Sequence, residues 1–269
     1  MRARALVAVG LAAVLLTGCA QSVDPIERLG KKAAQRVGSY GPDGPGGADG
    51  AHGRPYRHWG LLAPLQAPPR VAARAAVRRG GLPPVVRRVG TSDKVVFLTY
   101  DDGAERDPRF VDMVRELRLP VSMFLTDSVV GPGYAHFARL QSVGASIQNH
   151  TLDHPALRGL PYPGQRAEIC GQQEKVRSRF GIRPRLFRPP YGTYDRTTLR
   201  AAADCGLSAV VLWSVSPAGG APERPLRAGD IVSVASGEAT GSTLTERTTR
   251  VLREIERRGL TVGRLEDYL

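Results

Sequence analysis

The stretch Val95-Val96-Phe97-Leu98-Thr99-Tyr100-Asp101-Asp102-Gly103 decides the architecture of this chain. Six residues, all but Leu98 β-branched or aromatic, run straight into two acids and a glycine. An apolar run of that length, bounded by a turn signal, reads as a strand covered on both faces. Outward from it, further strand-like runs stand at Val121–Leu125, Ala145–Gln148, Leu186–Phe187, Ala209–Trp213 and Ile231–Val234. Between them lie amphipathic stretches at Pro108–Leu117, Tyr134–Val143, Gly164–Phe180, Arg196–Cys205 and Leu244–Arg258. Strands alternating with helices imply an α/β fold with a parallel sheet and crossover helices, either open and doubly wound or closed as a barrel. No Gly-rich phosphate loop follows the first strand, so nucleotide binding is not expected.

The chain is 269 residues long and 42% hydrophobic, enough for one large domain with a substantial core. Three cysteines cannot staple a chain of this length, which excludes a disulfide scaffold. The formal charge of +13 is unevenly placed: residues 20–90 carry +8, whereas residues 91–269 carry only +3. The excess sits on an arm before the domain. A basic arm beside a membrane anchor points to anionic headgroups or wall polymer, and no nucleic-acid motif is present.

That anchor is legible at the start. Arg2 and Arg4 precede an apolar stretch from Ala5 to Leu16, too short to span a bilayer, and Leu16-Thr17-Gly18-Cys19 follows. The tetrapeptide resembles the bacterial lipobox, which implies lipidation of Cys19, a tether to the membrane and an exported protein held on the outer face of the cell membrane. The expected organisation is a lipoprotein signal peptide over 1–18, a Gly/Pro/Arg-rich tether over 19–90, with a short run from Val71 to Val77 that could form a helix, and the folded α/β domain over 91–269. With Cys19 so assigned, Cys170 and Cys205 form an even remainder in an oxidising compartment. They read as a disulfide or as two separate buried thiols.

Polar residues gather at the ends of the expected strands. Asp101 and Asp102 follow the first, His150 the third, Arg188 the fourth, and Trp213 closes the fifth. In a parallel barrel those ends form one mouth, where active sites collect. His150-Thr-Leu-Asp-His154 spaces two imidazoles so that both can reach one metal ion. Two adjacent carboxylates repel unless cations divide them; a metal on one and an arginine on the other keeps both ionised. Arg188, followed by two prolines, suits that second role.

Thr99-Tyr-Asp101-Asp102-Gly103, His150-Thr-Leu-Asp-His154-Pro155 and Arg188-Pro-Pro-Tyr191-Gly192 resemble, in order and spacing, the first three motifs of the polysaccharide deacetylase family (carbohydrate esterase family 4). The resemblance covers about residues 90–269. It implies a distorted (β/α) barrel and metal-dependent hydrolysis of N-acetyl groups on a cell-wall or extracellular glycan. By position, Asp101 matches the general base and Asp102, His150 and His154 the metal ligands. Arg188 matches the residue that holds the base, and the backbone N–H of Tyr191 a donor to the oxyanion. Trp213 matches an aromatic wall for substrate. Two imidazoles and a carboxylate suit zinc; cobalt, nickel or manganese also bind such sets. No protein partner is implied.

The likeness then breaks. After Ile231-Val-Ser-Val234 the family places a histidine that protonates the leaving amine; here Ala235-Ser236 stand there, and no histidine occurs after His154. Ser233 replaces a leucine of the acetyl pocket, and Ser214-Val-Ser-Pro-Ala-Gly-Gly220 lacks the acid and second tryptophan that brace Arg188 and the groove. General acid catalysis contributes about 10²–10⁴-fold. Glu238, just past Ala235, is a candidate substitute acid, and a protonated Asp101 could serve both steps. The sequence therefore carries three readings: an N-deacetylase, a catalytically weak relative that binds metal and glycan, and an esterase acting on O-acetyl groups.

Overall fold

Eight short strands carry the fold in the computed structural model, which describes residues 55–69, 81–217, 222–234 and 241–269. They are β1 (Val85–Val86), β2 (Val95–Asp102), β3 (Val121–Leu125), β4 (Ser146–Asn149), β5 (Leu186–Phe187), β6 (Ala209–Val211), β7 (Ile231–Ser233) and β8 (Thr261–Val262). The helices are α1 (Pro55–His58), α2 (Pro108–Leu117), α3 (Asp127–Val130), α4 (Tyr134–Ser142), α5 (Tyr162–Phe180), α6 (Arg196–Asp204) and α7 (Leu244–Arg257). Every ladder is parallel, in the order β1-β6-β5-β4-β3-β2-β7, with β8 pairing to the start of β2. Single bridges, Val215 to Val232 and Arg88 to Asp230, link the two ends of the sheet. The sheet is thus a curled half-barrel, closed at points and not by a full ladder.

Alternation along β2 builds two cores at once. Val96, Leu98 and Tyr100 face the helices and pack with Phe110 and Val114 of α2 and Val251 and Ile255 of α7. Val95 and Phe97 face the inside, among Phe124, Ile231, Leu265 and Tyr268. Each such side chain, fully buried, is worth about 1.5–3 kcal/mol. Helix starts are written locally: Asp107 caps α2 ahead of Pro108, Asp195 and Thr198 form a capping box on α6, and Thr243 and Glu246 do so on α7.

Part of the stretch whose composition reads as tether is folded. Trp59 and Leu61 are buried in the main core, and the Trp59 indole N–H donates to Glu116 Oε2 at 2.8 Å. Val85–Val86 adds a strand beside β6. These are apolar islands of one or two residues in a Pro/Arg-rich background, too short to register as a period. The signal segment, Cys19 and the run from Val71 to Val77 lie outside the described residues. Cys170 of α5 and Cys205 at the end of α6 are bonded as a disulfide. Among the described residues, no helix is long and apolar enough to cross a membrane.

Candidate active site

Register assembles the site. Asp102 is level with Leu125 of β3, Leu125 with Asn149 of β4, and Asn149 with Phe187 of β5. His150 and Arg188 each stand one residue beyond that level. Residues nearly ninety apart in sequence therefore meet at the carboxyl ends of neighbouring strands.

Two sub-sites share the mouth. In the first, Arg188 is fully buried and its Nη1 donates to Asp101 Oδ1 at 2.6 Å and to Thr99 Oγ1 at 2.9 Å. Its Nε donates to the Val211 carbonyl at 3.2 Å and its Nη2 to the Leu212 carbonyl at 3.3 Å, while the guanidinium lies 4.3 Å from the Phe124 ring centre and 5.6 Å from that of Trp213. Carbonyls at the end of β6 thus brace Arg188 where the fourth motif offers no acid. Ser233, at the end of β7, donates to Asp101 Oδ2 at 2.8 Å. Instead of lining an apolar wall, its hydroxyl fixes the second oxygen of the carboxylate.

In the second sub-site, Asp102 Oδ1 lies 3.3 Å from His150 Nε2 and 3.1 Å from His154 Nε2, and the two imidazole nitrogens are 3.2 Å apart. Asp102 Oδ1 is buried and accepts no hydrogen bond. His150 Nδ1 sits 2.7 Å from the Arg188 carbonyl. Donating a proton there fixes the tautomer and leaves Nε2 with its lone pair toward the cluster. Three donor atoms converging on one point, one of them an orphaned carboxylate oxygen, fit a bound metal ion. When Nε2 of His150 and His154 carry protons instead, as they do without a metal, burial pushes the Asp102 carboxyl up but the two imidazole N–H groups outweigh it and hold it well below the usual carboxylate range.

Backbone strain concentrates here. Of five non-glycine residues with positive φ among the described residues, Asp102, Thr151, His154 and Tyr191 belong to the site. Holding a side chain in the left-handed region costs on the order of 1 kcal/mol, and such residues cluster at functional sites. Gly103 follows at φ 87°, and a Cβ there would lie 2.8 Å from Val130 Cγ2, which explains the glycine after the two acids. Tyr191 is two-thirds exposed, and its ring meets the His154 ring edge-on at 4.7 Å. Trp213 is half-buried and presses on Gly192, where a Cβ would meet it at 3.0 Å.

Asp101, Asp102, His150, His154, Arg188, Tyr191 and Trp213 all gather at one mouth; Ala235 and Glu238 lie outside the described residues. Sequence reasoning missed the residues that hold the His150–His154 turn and the strand ends beside it. Asn149 Nδ2 donates to the Ile169 carbonyl and its Oδ1 accepts from Thr151 N–H, which sets the turn carrying His154. Gln172 and Gln173 on the inner face of α5 donate to the Leu125 and Pro184 carbonyls. Two consecutive glutamines on a face that otherwise buries Ile169 and Val176 were the available signal.

A curled parallel half-barrel that presents a fixed carboxylate beside a His/Asp/His cluster defines a hydrolase with a metal-type centre. The chain belongs to the polysaccharide deacetylase family, whose profile matches residues 88–210. An uncharacterized protein of Streptomyces coelicolor is 61% identical over 203 residues, 73% of this chain and 82% of that one. A chitooligosaccharide deacetylase of Bradyrhizobium is 31% identical over 125 residues, 45% of this chain and 57% of that one. This chain therefore spans little more than half of the Bradyrhizobium relative. A family 4 carbohydrate esterase from Bacillus anthracis shares the fold with a TM-score of 0.61 at 19% identity, covering 74% of this chain and 98% of that one.

Proposed function

We propose that this protein removes N-acetyl groups from a cell-wall or extracellular glycan, using a bound divalent cation, with zinc the best match. The observation that carries the reading is the triangle of donor atoms on Asp102, His150 and His154, with edges of 3.1–3.3 Å. A tetrahedron built on zinc bonds of about 2.0–2.1 Å has edges of about 3.3–3.4 Å. When bound, such an ion polarises the acetyl carbonyl and acidifies water. Asp101, clamped by Arg188 and Ser233, takes the proton of the attacking water. Water oxygen bonds the acetyl carbonyl carbon, and the negative charge that develops on the carbonyl oxygen is met by the Tyr191 N–H. The C–N bond then breaks as the nitrogen gains a proton, either returned by Asp101 or supplied by Glu238, and acetate and a free amine leave. Trp213 and the exposed Tyr191 ring offer faces for the sugar.

A second reading is favoured by one specific observation: no histidine follows His154, and Ala235 stands where the amine-protonating group is expected. It describes a weak N-deacetylase or a metal- and glycan-binding relative, with O-acetyl esters as better substrates because an alkoxide leaves more easily than an amide ion. Acetate release from N-acetyl and O-acetyl glycan oligomers, with added zinc and with chelator, separates these. Chelator-sensitive release from the N-acetyl oligomer is expected; release only from esters selects the esterase, and none from either overturns the enzyme. Glu238→Ala lowers N-deacetylation if that carboxylate is the acid. The same reading places a signal peptide over 1–18 and a diacylglycerol anchor on Cys19, holding the protein outside the cell membrane. Cys19→Ser should release it into the medium.

A further inference from the structure

Away from the strand mouth, a cavity of about 370 Å³ opens between α1, the start of α2 and the first half of α7. Its wall carries Arg57, Arg109, Arg250 and Arg253, with His58 beside them and Glu246 as the one acid. None of the four guanidinium groups has an acidic partner among the described residues. Arg250 Nη2 donates to Ser242 Oγ and Arg253 Nε to the Gly60 carbonyl, both neutral acceptors, and Arg250 Nε is buried with no acceptor at all. Elsewhere in the domain, Arg188, Arg224 and Arg247 are each matched to a carboxylate. Glu246 is committed to its capping box, where its side chain accepts from Thr243 N–H. Four guanidinium charges against one carboxylate leave this open cleft net positive, with Arg250 half-buried and the other three exposed, and a cleft lined by one sign of charge concentrates ligands of the other.

Its chemistry narrows the ligand. Guanidinium groups bind phosphate oxygens through paired N–H donors. The His58 ring stacks on Trp59, 4.5 Å between centres and 8° from parallel, and gives the wall a flat face suited to a sugar ring. A concave wall takes a group that projects from a chain, whereas a bilayer surface is broad and flat. We propose that this cavity is a second binding site, for a phosphate group carried on a glycan or polyol chain. Such a contact would hold the domain against an anionic wall polymer while the mouth works on acetylated sugar. It also gives a role to part of the basic arm, since Arg57 and His58 belong to it.

The proposal is independent of the deacetylase reading, because its test measures binding and not acetate release. Titrate the full chain with a poly(glycerol phosphate) oligomer by calorimetry at low salt. Compare Arg57→Gln/Arg250→Gln with a control that loses the same charge on α5 and α6, Arg166→Gln/Arg196→Gln. The expected result is saturable binding that weakens about tenfold or more in the first variant and less than twofold in the control. Absence of binding, or equal weakening in both variants, which is the signature of diffuse attraction, overturns it. So does a result in which the cavity variant loses affinity for phosphatidylglycerol vesicles but not for the oligomer.

Discussion

Replacing Arg188 with leucine tests the assembly of the mouth most sharply. The guanidinium is wholly buried and makes four hydrogen bonds, one of them to the Asp101 carboxylate at 2.6 Å. Removing one partner of a buried ion pair costs about 3–5 kcal/mol. Asp101 keeps Ser233 and some solvent contact, which favours the lower end, about 3 kcal/mol. The Val211 and Leu212 carbonyls lose their donor, adding roughly 1 kcal/mol between them. A loss near 4 kcal/mol follows, and at about 2–4 °C per kcal/mol for a domain of this size the midpoint should fall by about 10–15 °C. Thermal unfolding followed by circular dichroism reads the midpoint, and urea unfolding the free-energy loss. Arg188→Lys should fall between, because an ammonium cannot span Asp101 and two carbonyls at once. Combined with Asp101→Asn, the leucine variant should be less destabilised than the sum of the two, since neither partner is then left charged and alone. A loss under about 1 kcal/mol, or strict additivity in the pair, refutes the reasoning.

Three further outcomes follow from particular contacts. Zinc at one hundred times its dissociation constant should stabilise the wild type by about 2.7 kcal/mol, and His150→Ala should show no rise in melting temperature; an equal rise in the variant refutes the ligand assignment. Burial pushes the Asp230 carboxyl up, but the bidentate Arg224, the Arg227 N–H and the Ser214 hydroxyl outweigh it and hold it below its ordinary value. Its stabilising contribution is therefore present above about pH 4 and is lost as pH falls through the lowered folded value, so Asp230→Asn should flatten the stability–pH profile below pH 4. An unchanged profile contradicts that. Replacing Cys170 and Cys205 with serine opens a link across 35 residues and should cost about 3–4 kcal/mol on chain-entropy grounds, read as a shift in urea midpoint. No shift would show that the link closes a segment already ordered in the unfolded chain.

The long elements were legible because each declares itself locally. Pro108–Leu117 carries its own cap, proline start and apolar stripe, and the run from Val95 needs no partner to read as a covered strand. The three motifs were legible for a related reason: strand ends in a parallel fold share one face, so polar residues just past apolar runs become neighbours. What local reading missed was short or held from elsewhere. The strands at Val85–Val86 and Thr261–Val262 are two residues each and exist only through β6 and β2. The run from Ala209 was expected to continue to Trp213 as strand, but the ladder ends at Val211, where the next carbonyl turns to Arg188.

The sequence alone determined the order of the longer strands and helices, which carboxylates, imidazoles and arginine stand just past the strand ends, and the absence of a histidine after His154. Those are properties of residue type and spacing, and they travel with the chain in any conformation. Only the tertiary structure decided that Asp102, His150 and His154 meet within hydrogen-bonding distance, that backbone carbonyls brace Arg188 in place of an acid, and that Ser233 closes on Asp101. It also set four arginines around one cavity. Each of these depends on sheet register and on helices packing from distant parts of the chain, and register is fixed by the pairing of whole strands, not by any single residue's preference.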